Sequence, residues 1–283
     1  MFFKIEIKIY FKAKLSLWII CRYKMGKNNI KSKNGLLKIY HSQPTDIDTT
    51  AVESNLRVQR EWHREKLENA LLHLNLDGKK VLDLACGSGG LTRKLKRICR
   101  SATIFGMDFN AKAISYAKTR DSGVKGLKYL VGDAENIPFK DNFFDIVIGL
   151  DMLDHIPDYK KSMREINRVL KKDGDVVLTV ENHHSLWPVV EYLWYLRSYF
   201  GNARDLRHVH VVHFTPKTFN ELIENTGFSV KKFYTIHNLN TFFYLVSDYY
   251  PKSLNSFISR KNLGLSLFCY AKKIKQIKPD GSI

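Results

Sequence analysis

ValLeuAspLeuAlaCysGlySerGlyGly, residues 81–90, decides how the rest of the chain is read. An apolar stretch broken by one acid, Asp83, runs straight into a loop with glycine at 87, 89 and 90. Only glycine enters left-handed backbone conformations without steric cost, so a tight turn is predicted at the carboxyl end of a strand. A helical pattern follows over Leu91–Cys99, then a second strand, Ala102–Met107, that ends in Asp108. Going outward, Ala111–Thr119 reads as a helix and Leu127–Val131 as a strand ending in Gly132–Asp133. Phe144–Leu150 is a fourth strand, Tyr159–Leu170 a helix and Asp175–Val180 a fifth strand. Upstream, Val52–Leu74 reads as a helix; downstream come a helix at Phe219–Asn225, a strand at Phe228–Thr235 and a last strand near Leu265–Lys272. Strands alternating with helices imply βαβ units and a doubly wound parallel sheet. Such sheets bind ligands beyond the carboxyl ends of their strands. The residues to watch are therefore Asp83–Gly90, Asp108, Asp133 and Asp151–His155.

The chain of 283 residues carries 46 Lys+Arg against 28 Asp+Glu, a formal charge of +18. The location of that charge matters more than its size. Residues 1–40 hold 10 basic and 1 acidic side chain, residues 41–230 hold 27 and 25, and residues 231–283 hold 9 and 2. The body is nearly neutral, which argues against an enzyme built around a phosphate groove and against a nucleic-acid partner. Hydrophobic residues make up 44% of the chain, enough for a packed core and too many for disorder.

Residues 4–17 alternate apolar and polar side chains like a half-buried strand, and residues 24–35 read as a basic linker. We expect residues 1–40 to be an extension or the product of a start upstream of Met25. The sharper alternative is an arm that touches an anionic membrane surface. The cysteines Cys21, Cys86, Cys99 and Cys269 form no C-x-x-C pair, and no run approaches the roughly 20 apolar residues that cross a bilayer. A cytoplasmic protein, with peripheral membrane contact at most, is the expectation.

A glycine loop alone does not identify a ligand, because nicotinamide and flavin sites use one too. Thr92 stands where a dinucleotide fingerprint needs glycine or alanine. Asp83, four residues before Gly87, would face a pyrophosphate badly and suits an ammonium group. With these motifs in order, residues 50–235 resemble the class I S-adenosylmethionine-dependent methyltransferases, in particular their small-molecule type 11 group. The resemblance implies a Rossmann-like α/β fold with a seven-stranded sheet of order 3-2-1-4-5-7-6, the last strand antiparallel, and a helical aromatic cap. It implies S-adenosylmethionine as cofactor. Asp83, Ala85, Cys86, Gly87 and Gly89 would cradle the methionine end, and Asp108, 19 residues after Gly89, would accept from both ribose hydroxyls. Phe109 would pack on the adenine, Asp133 and Ala134 would meet its edge, and Leu150 would line the same site. Cys86 reads as a close-packed loop residue and not a nucleophile.

The segment AspMetLeuAspHisIleProAsp, residues 151–158, would line the acceptor pocket in this family, with His155 and Asp151 the catalytic candidates. Asp151, Asp154 and His155 also resemble the acidic-x-x-acidic-His metal pattern of ubiquinone-pathway O-methyltransferases. Here both acids are the shorter Asp, and no metal is assigned. His183, His184, His208, His210 and His213 do not have the spacing of a closed zinc site. His210–Pro216, HisValValHisPheThrPro, is similar to a segment of the family's cap, and Arg64 is a candidate partner for the cofactor carboxylate. The resulting organisation is an extension at 1–40 and a methyltransferase domain at 41–283, with cap insertions about 183–216 and 236–262. The acceptor is expected to be a small-molecule or lipid-like compound methylated at O or N. The rival expectation is an RNA methyltransferase that uses the basic termini as arms.

Overall fold

Residues 57–185, 210–237 and 264–277 are described by the computed structural model. The readings of residues 1–56 and most of both cap insertions fall outside them. The described elements are α1 (Arg57–Leu71), β1 (Lys80–Leu84), α2 (Gly90–Ile98), β2 (Thr103–Asp108), α3 (Ala111–Arg120), β3 (Leu127–Val131) and β4 (Phe144–Leu150). A one-turn 3-10 helix follows at Leu153–His155, then α4 (Tyr159–Val169), β5 (Leu170–Glu181), α5 (Pro216–Asn225), β6 (Phe228–Ile236) and β7 (Ser266–Lys273).

The seven strands form one sheet of order β3-β2-β1-β4-β5-β7-β6. β1 pairs in parallel with β2 and β4, β2 with β3, and β4 with β5. β7 lies antiparallel between β5 and β6. The order and the antiparallel strand are those implied by the family resemblance. β5 starts at Leu170, directly after α4, so the strand predicted over 175–180 is longer at its amino end.

Side-chain alternation on the strands builds two cores, one on each face of the sheet. Val81, Ile104, Ile146, Ile148 and Val177 face Leu67 and Ala70 of α1 and Leu95 of α2. Leu82, Leu84, Met107, Val147, Val176 and Leu178 face Met163 and Ile166 of α4 and Phe219 and Ile223 of α5. Each such aliphatic side chain contributes about 1.5–3 kcal/mol when withdrawn from water. The cores hold the strands flat against their helices and leave the carboxyl edge of the sheet to the polar residues.

The helix starts follow local chemistry. Asn110 caps α3 by accepting from the Lys112 and Ala113 amides, Asp158 caps α4 by accepting from the Lys161 amide, and Thr215 and Thr218 form a capping box around Pro216 at the start of α5. The cap of α4 is therefore Asp158 and not the nearby His155.

Candidate active site

Three acids stand at the carboxyl ends of three neighbouring strands. Asp83 on β1 is 2% exposed, and its Oδ2 accepts from the Thr92 hydroxyl at 2.6 Å. Thr92, which broke the dinucleotide fingerprint, is thus the residue that orients Asp83. Asp108 ends β2 and is held entirely by backbone: its Oδ2 accepts from the Gly87 amide at 2.9 Å and its Oδ1 from the Asn110 amide at 2.8 Å. Burial raises its carboxyl pKa, against the lowering effect of these amides. Asp133, after β3, is half-buried and accepts from the Glu135 amide at 2.9 Å, the geometry of a turn residue.

The loop between β1 and α2 turns through three left-handed residues, Ala85 (φ 60°), Gly87 (φ 54°) and Gly89 (φ 80°). Ala85 is exposed and has no glycine freedom, so the loop stores strain at the strand end. Gly89 is needed for an internal reason: a Cβ there would lie 2.8 Å from the Tyr129 ring carbons. The Tyr129 hydroxyl donates to Asp121 at 2.7 Å, and Asp121 pairs with Arg93 at 2.6 Å. A Cβ on Gly106 would meet both that ring and the Cys86 sulfur at 2.9 Å. Cys86 is accordingly a buried packing residue, as its sequence context implied. Ala134, Phe109 and Leu150 are half-buried at the same edge, Leu150 against the core.

The second group of side chains lies past β4 and β5. Asp151 adopts φ 52°, donates its amide to the Thr179 carbonyl at 3.0 Å and accepts from the Thr179 hydroxyl at 2.7 Å. Its other carboxylate oxygen is in ion-pair contact with Lys66 of α1. Lys66 is 2% exposed and lies over the Trp62 ring, 4.7 Å from its centroid. Burial drives the Lys66 pKa down to about 8, opposed by Glu181, Asp154 and Glu65. His237 stacks on the other partner of this nest, the Trp62 ring, at 3.6 Å, and burial keeps its imidazole neutral. Arg64, the cation considered from sequence, is instead exposed and paired with Glu61 and Glu68. The cation that reaches the strand ends is Lys66. Its sequence signal was its position four residues after Trp62 and four before buried Ala70, on the inward face of α1.

Asp154 and His155 sit in the 3-10 turn. The Asp154 side chain is 1% exposed, and His210 Nε2 stands 3.5 Å from its Oδ2. The His155 and His210 rings are 4.8 Å apart. Burial works to raise the Asp154 carboxyl pKa, and the charges of His155 and His210 outweigh it and hold the group low. The Asp154 carbonyl accepts from the Val211 and Val212 amides, which ties the segment carrying His210 to the turn. His183 and His213 form a separate pair at 2.8 Å.

Residues 82–178 match the profile of a family described as a methyltransferase domain. The match covers about a third of the chain, β1 to β5, and marks these residues as similar to methyltransferase domains. A phthiotriol/phenolphthiotriol dimycocerosates methyltransferase of Mycobacterium ulcerans is 32% identical over 131 residues, 45% of this chain and 48% of the relative. A fatty-acid O-methyltransferase of Mycolicibacterium smegmatis is 34% identical over 105 residues, 37% of this chain and 38% of the relative. The chain spans about half the length, or less, of the curated relatives it matches. In fold, a SAM-dependent methyltransferase from Aquifex aeolicus superposes with a TM-score of 0.51 at 14% identity, covering 86% of this chain and 98% of that one.

S-adenosylmethionine is the cofactor that goes with this methyltransferase domain. The donor set fits it. Asp83, Asp108 and Asp133 offer acceptor oxygens for an ammonium, a vicinal diol and an exocyclic amine. Each Asp108 oxygen uses one acceptor site on a backbone amide and keeps another for a hydroxyl. Among the described residues no helix is long and apolar enough to cross a membrane.

Proposed function

We propose that this chain transfers a methyl group from S-adenosylmethionine to an oxygen or nitrogen of a small-molecule or lipid-like acceptor. The observation that carries the reading is the ladder of acids at three adjacent strand ends around a left-handed glycine loop. Asp83 receives the amino group, and the loop backbone at Ala85, Cys86, Gly87 and Gly89 wraps the methionine end. Asp108 accepts both ribose hydroxyls as a bidentate acceptor. Phe109, Asp133, Ala134 and Leu150 hold the adenine, through ring packing and through hydrogen bonds at its edge. The bound cofactor supplies an electrophilic methyl group, so the protein has to position the acceptor and take up a proton. Half-buried His155, its ring 4.8 Å from that of His210, accepts that proton at a ring nitrogen. Asp151, clamped by Lys66 and Thr179, positions the strand end from which the 3-10 turn starts.

The relatives that act on phthiotriol lipids and fatty acids support a lipid-like acceptor bearing a hydroxyl or carboxyl oxygen. Such an acceptor is met at a membrane surface, and the 10 basic against 1 acidic side chain of residues 1–40 suit an anionic one. Titration calorimetry with S-adenosylmethionine tests the first step; absence of binding by the wild type defeats the reading. Incubating the protein with labelled cofactor and a lipid extract tests the second. Label in the organic phase supports the lipid acceptor, and label confined to RNA overturns it.

A further inference from the structure

Asp151, Asp154 and His155 are the set a linear reading of residues 151–155 would nominate for a metal. The fold divides that set differently. The Asp151 carboxylate is taken by Lys66 and the Thr179 hydroxyl. In its place the chain returning at residue 210 brings an imidazole over Asp154. One ligand atom each from Asp154, His155 and His210 lie within 4.8 Å of one another.

We propose that Asp154, His155 and His210 form a binding site for a borderline divalent transition metal, Zn2+ being the natural candidate. Three features argue for it together. First, the Asp154 carboxylate is buried, and neither of its oxygens accepts a hydrogen bond among the described residues. A carboxylate withdrawn from water without such bonds is costly unless a cation meets it. Second, the spacing is close to what a metal requires. Donors around Zn2+ at about 2.0–2.1 Å lie roughly 3.4 Å apart. Asp154 Oδ2 and His210 Nε2 already stand 3.5 Å apart, and the His155 donor lies within 4.8 Å of both. Third, the position of His210 is built into the backbone. The Val211 and Val212 amides both bond the Asp154 carbonyl, at 2.8 and 3.1 Å, so ligand and ligand-bearing turn are tied together.

Two imidazoles with one carboxylate select Zn2+, Fe2+ or Co2+ over Mg2+ and Ca2+, which prefer all-oxygen sets. Three protein ligands leave coordination positions for an exogenous oxygen. If the proposed function holds, that oxygen belongs to the acceptor: the metal would lower its pKa as it lowers that of bound water, and with His155 then a ligand the proton would leave to solvent instead of to that ring. This catalytic consequence rests on the methyl-transfer reading, whereas the metal site does not.

The test is binding of Co2+ and Zn2+ to the metal-stripped full chain, followed by cobalt visible absorption and by calorimetry. One equivalent of Co2+ with the intense visible bands of a four- or five-coordinate centre is expected, displaced by Zn2+. His210→Ala and Asp154→Asn should each weaken binding at least a hundredfold. His213→Ala, in the neighbouring histidine pair, should leave it within twofold. If Asp154→Asn fails to fold, His210→Ala and His155→Ala decide the matter alone. No stoichiometric binding by the wild type, or binding that survives both histidine changes, overturns the proposal. S-adenosylmethionine binding measured in chelator runs in parallel. Cofactor binding without metal binding sinks only the metal site, and metal binding without cofactor binding sinks only the methyl-transfer reading.

Discussion

The two ends of the active edge satisfy their acids in opposite ways. At β1 and β2 the acids are held by close neighbours in the loop and helix that follow: Asp83 by Thr92, Asp108 by the amides of Gly87 and Asn110. At β4 the acids are held by side chains far away in the chain: Asp151 by Lys66 and Thr179, Asp154 by His210. A hydroxyl and backbone amides are uncharged donors, so in the first arrangement no ion pair ties up the carboxylates' charge. In the second, Asp151 is ion-paired with buried Lys66, so removing Lys66 leaves a half-buried charge uncompensated. The first half is built to bind, and the second is built to be held in register by the whole fold.

The sharpest way to break this contrast is at Asp108. Its replacement by Ala should weaken S-adenosylmethionine binding by about 4 kcal/mol, roughly a thousandfold, because two hydrogen bonds to a charged acceptor are lost. Calorimetry reads this; a change under fivefold would remove Asp108 from the site. On the other side, Lys66→Met should cost about 2 kcal/mol of stability, since it leaves the half-buried Asp151 without its cation. Adding Asp151→Asn should recover part of that loss in denaturant unfolding, and additive effects would show that the pair is not coupled. Gly89→Ala should cost about 2 kcal/mol, from the left-handed backbone at φ 80° and the collision with Tyr129. Thermal unfolding measures it, and an unchanged midpoint would show that the loop can move away.

Lys66 also makes the contrast depend on pH. Its pKa lies near 8 in the fold, below the ordinary 10.5. Between about pH 8 and 10.5 the unfolded chain holds a proton at Lys66 that the folded chain has released. Stability through this residue therefore rises with pH across that window, by about 1 kcal/mol at pH 9, and is flat below pH 8. The difference between wild type and Lys66→Met should follow that curve, and a constant difference from pH 7 to 10 would contradict it. The smallest effect is expected at Arg64→Ala, under about 0.5 kcal/mol, because its pairs with Glu61 and Glu68 are in solvent. Two cations two residues apart on one helix should then differ several-fold in cost.

The same contrast explains what could be read before the fold was known. Asp83, Asp108 and the glycines are recognisable because strand, loop and following helix are consecutive, and each partner lies within a short stretch of chain. The sheet order came from the family resemblance and not from local units, since no helix stands between β3 and β4 and β7 is antiparallel. Lys66 was passed over for Arg64 because helix periodicity alone does not say which polar residue a sheet edge will cover. His210 was one of five histidines without a metal spacing, and nothing in its neighbourhood points to Asp154.

The sequence by itself determined the α/β class and the acids that stand at the strand ends. Periodicity and glycine placement are local properties of the backbone, and they carry that information. Only the tertiary structure decided which charges meet past β4, because burial and pairing depend on elements brought together across the sheet. There the same five residues, Asp151 to His155, separate into one acid locked to Lys66 and one acid set between two histidines.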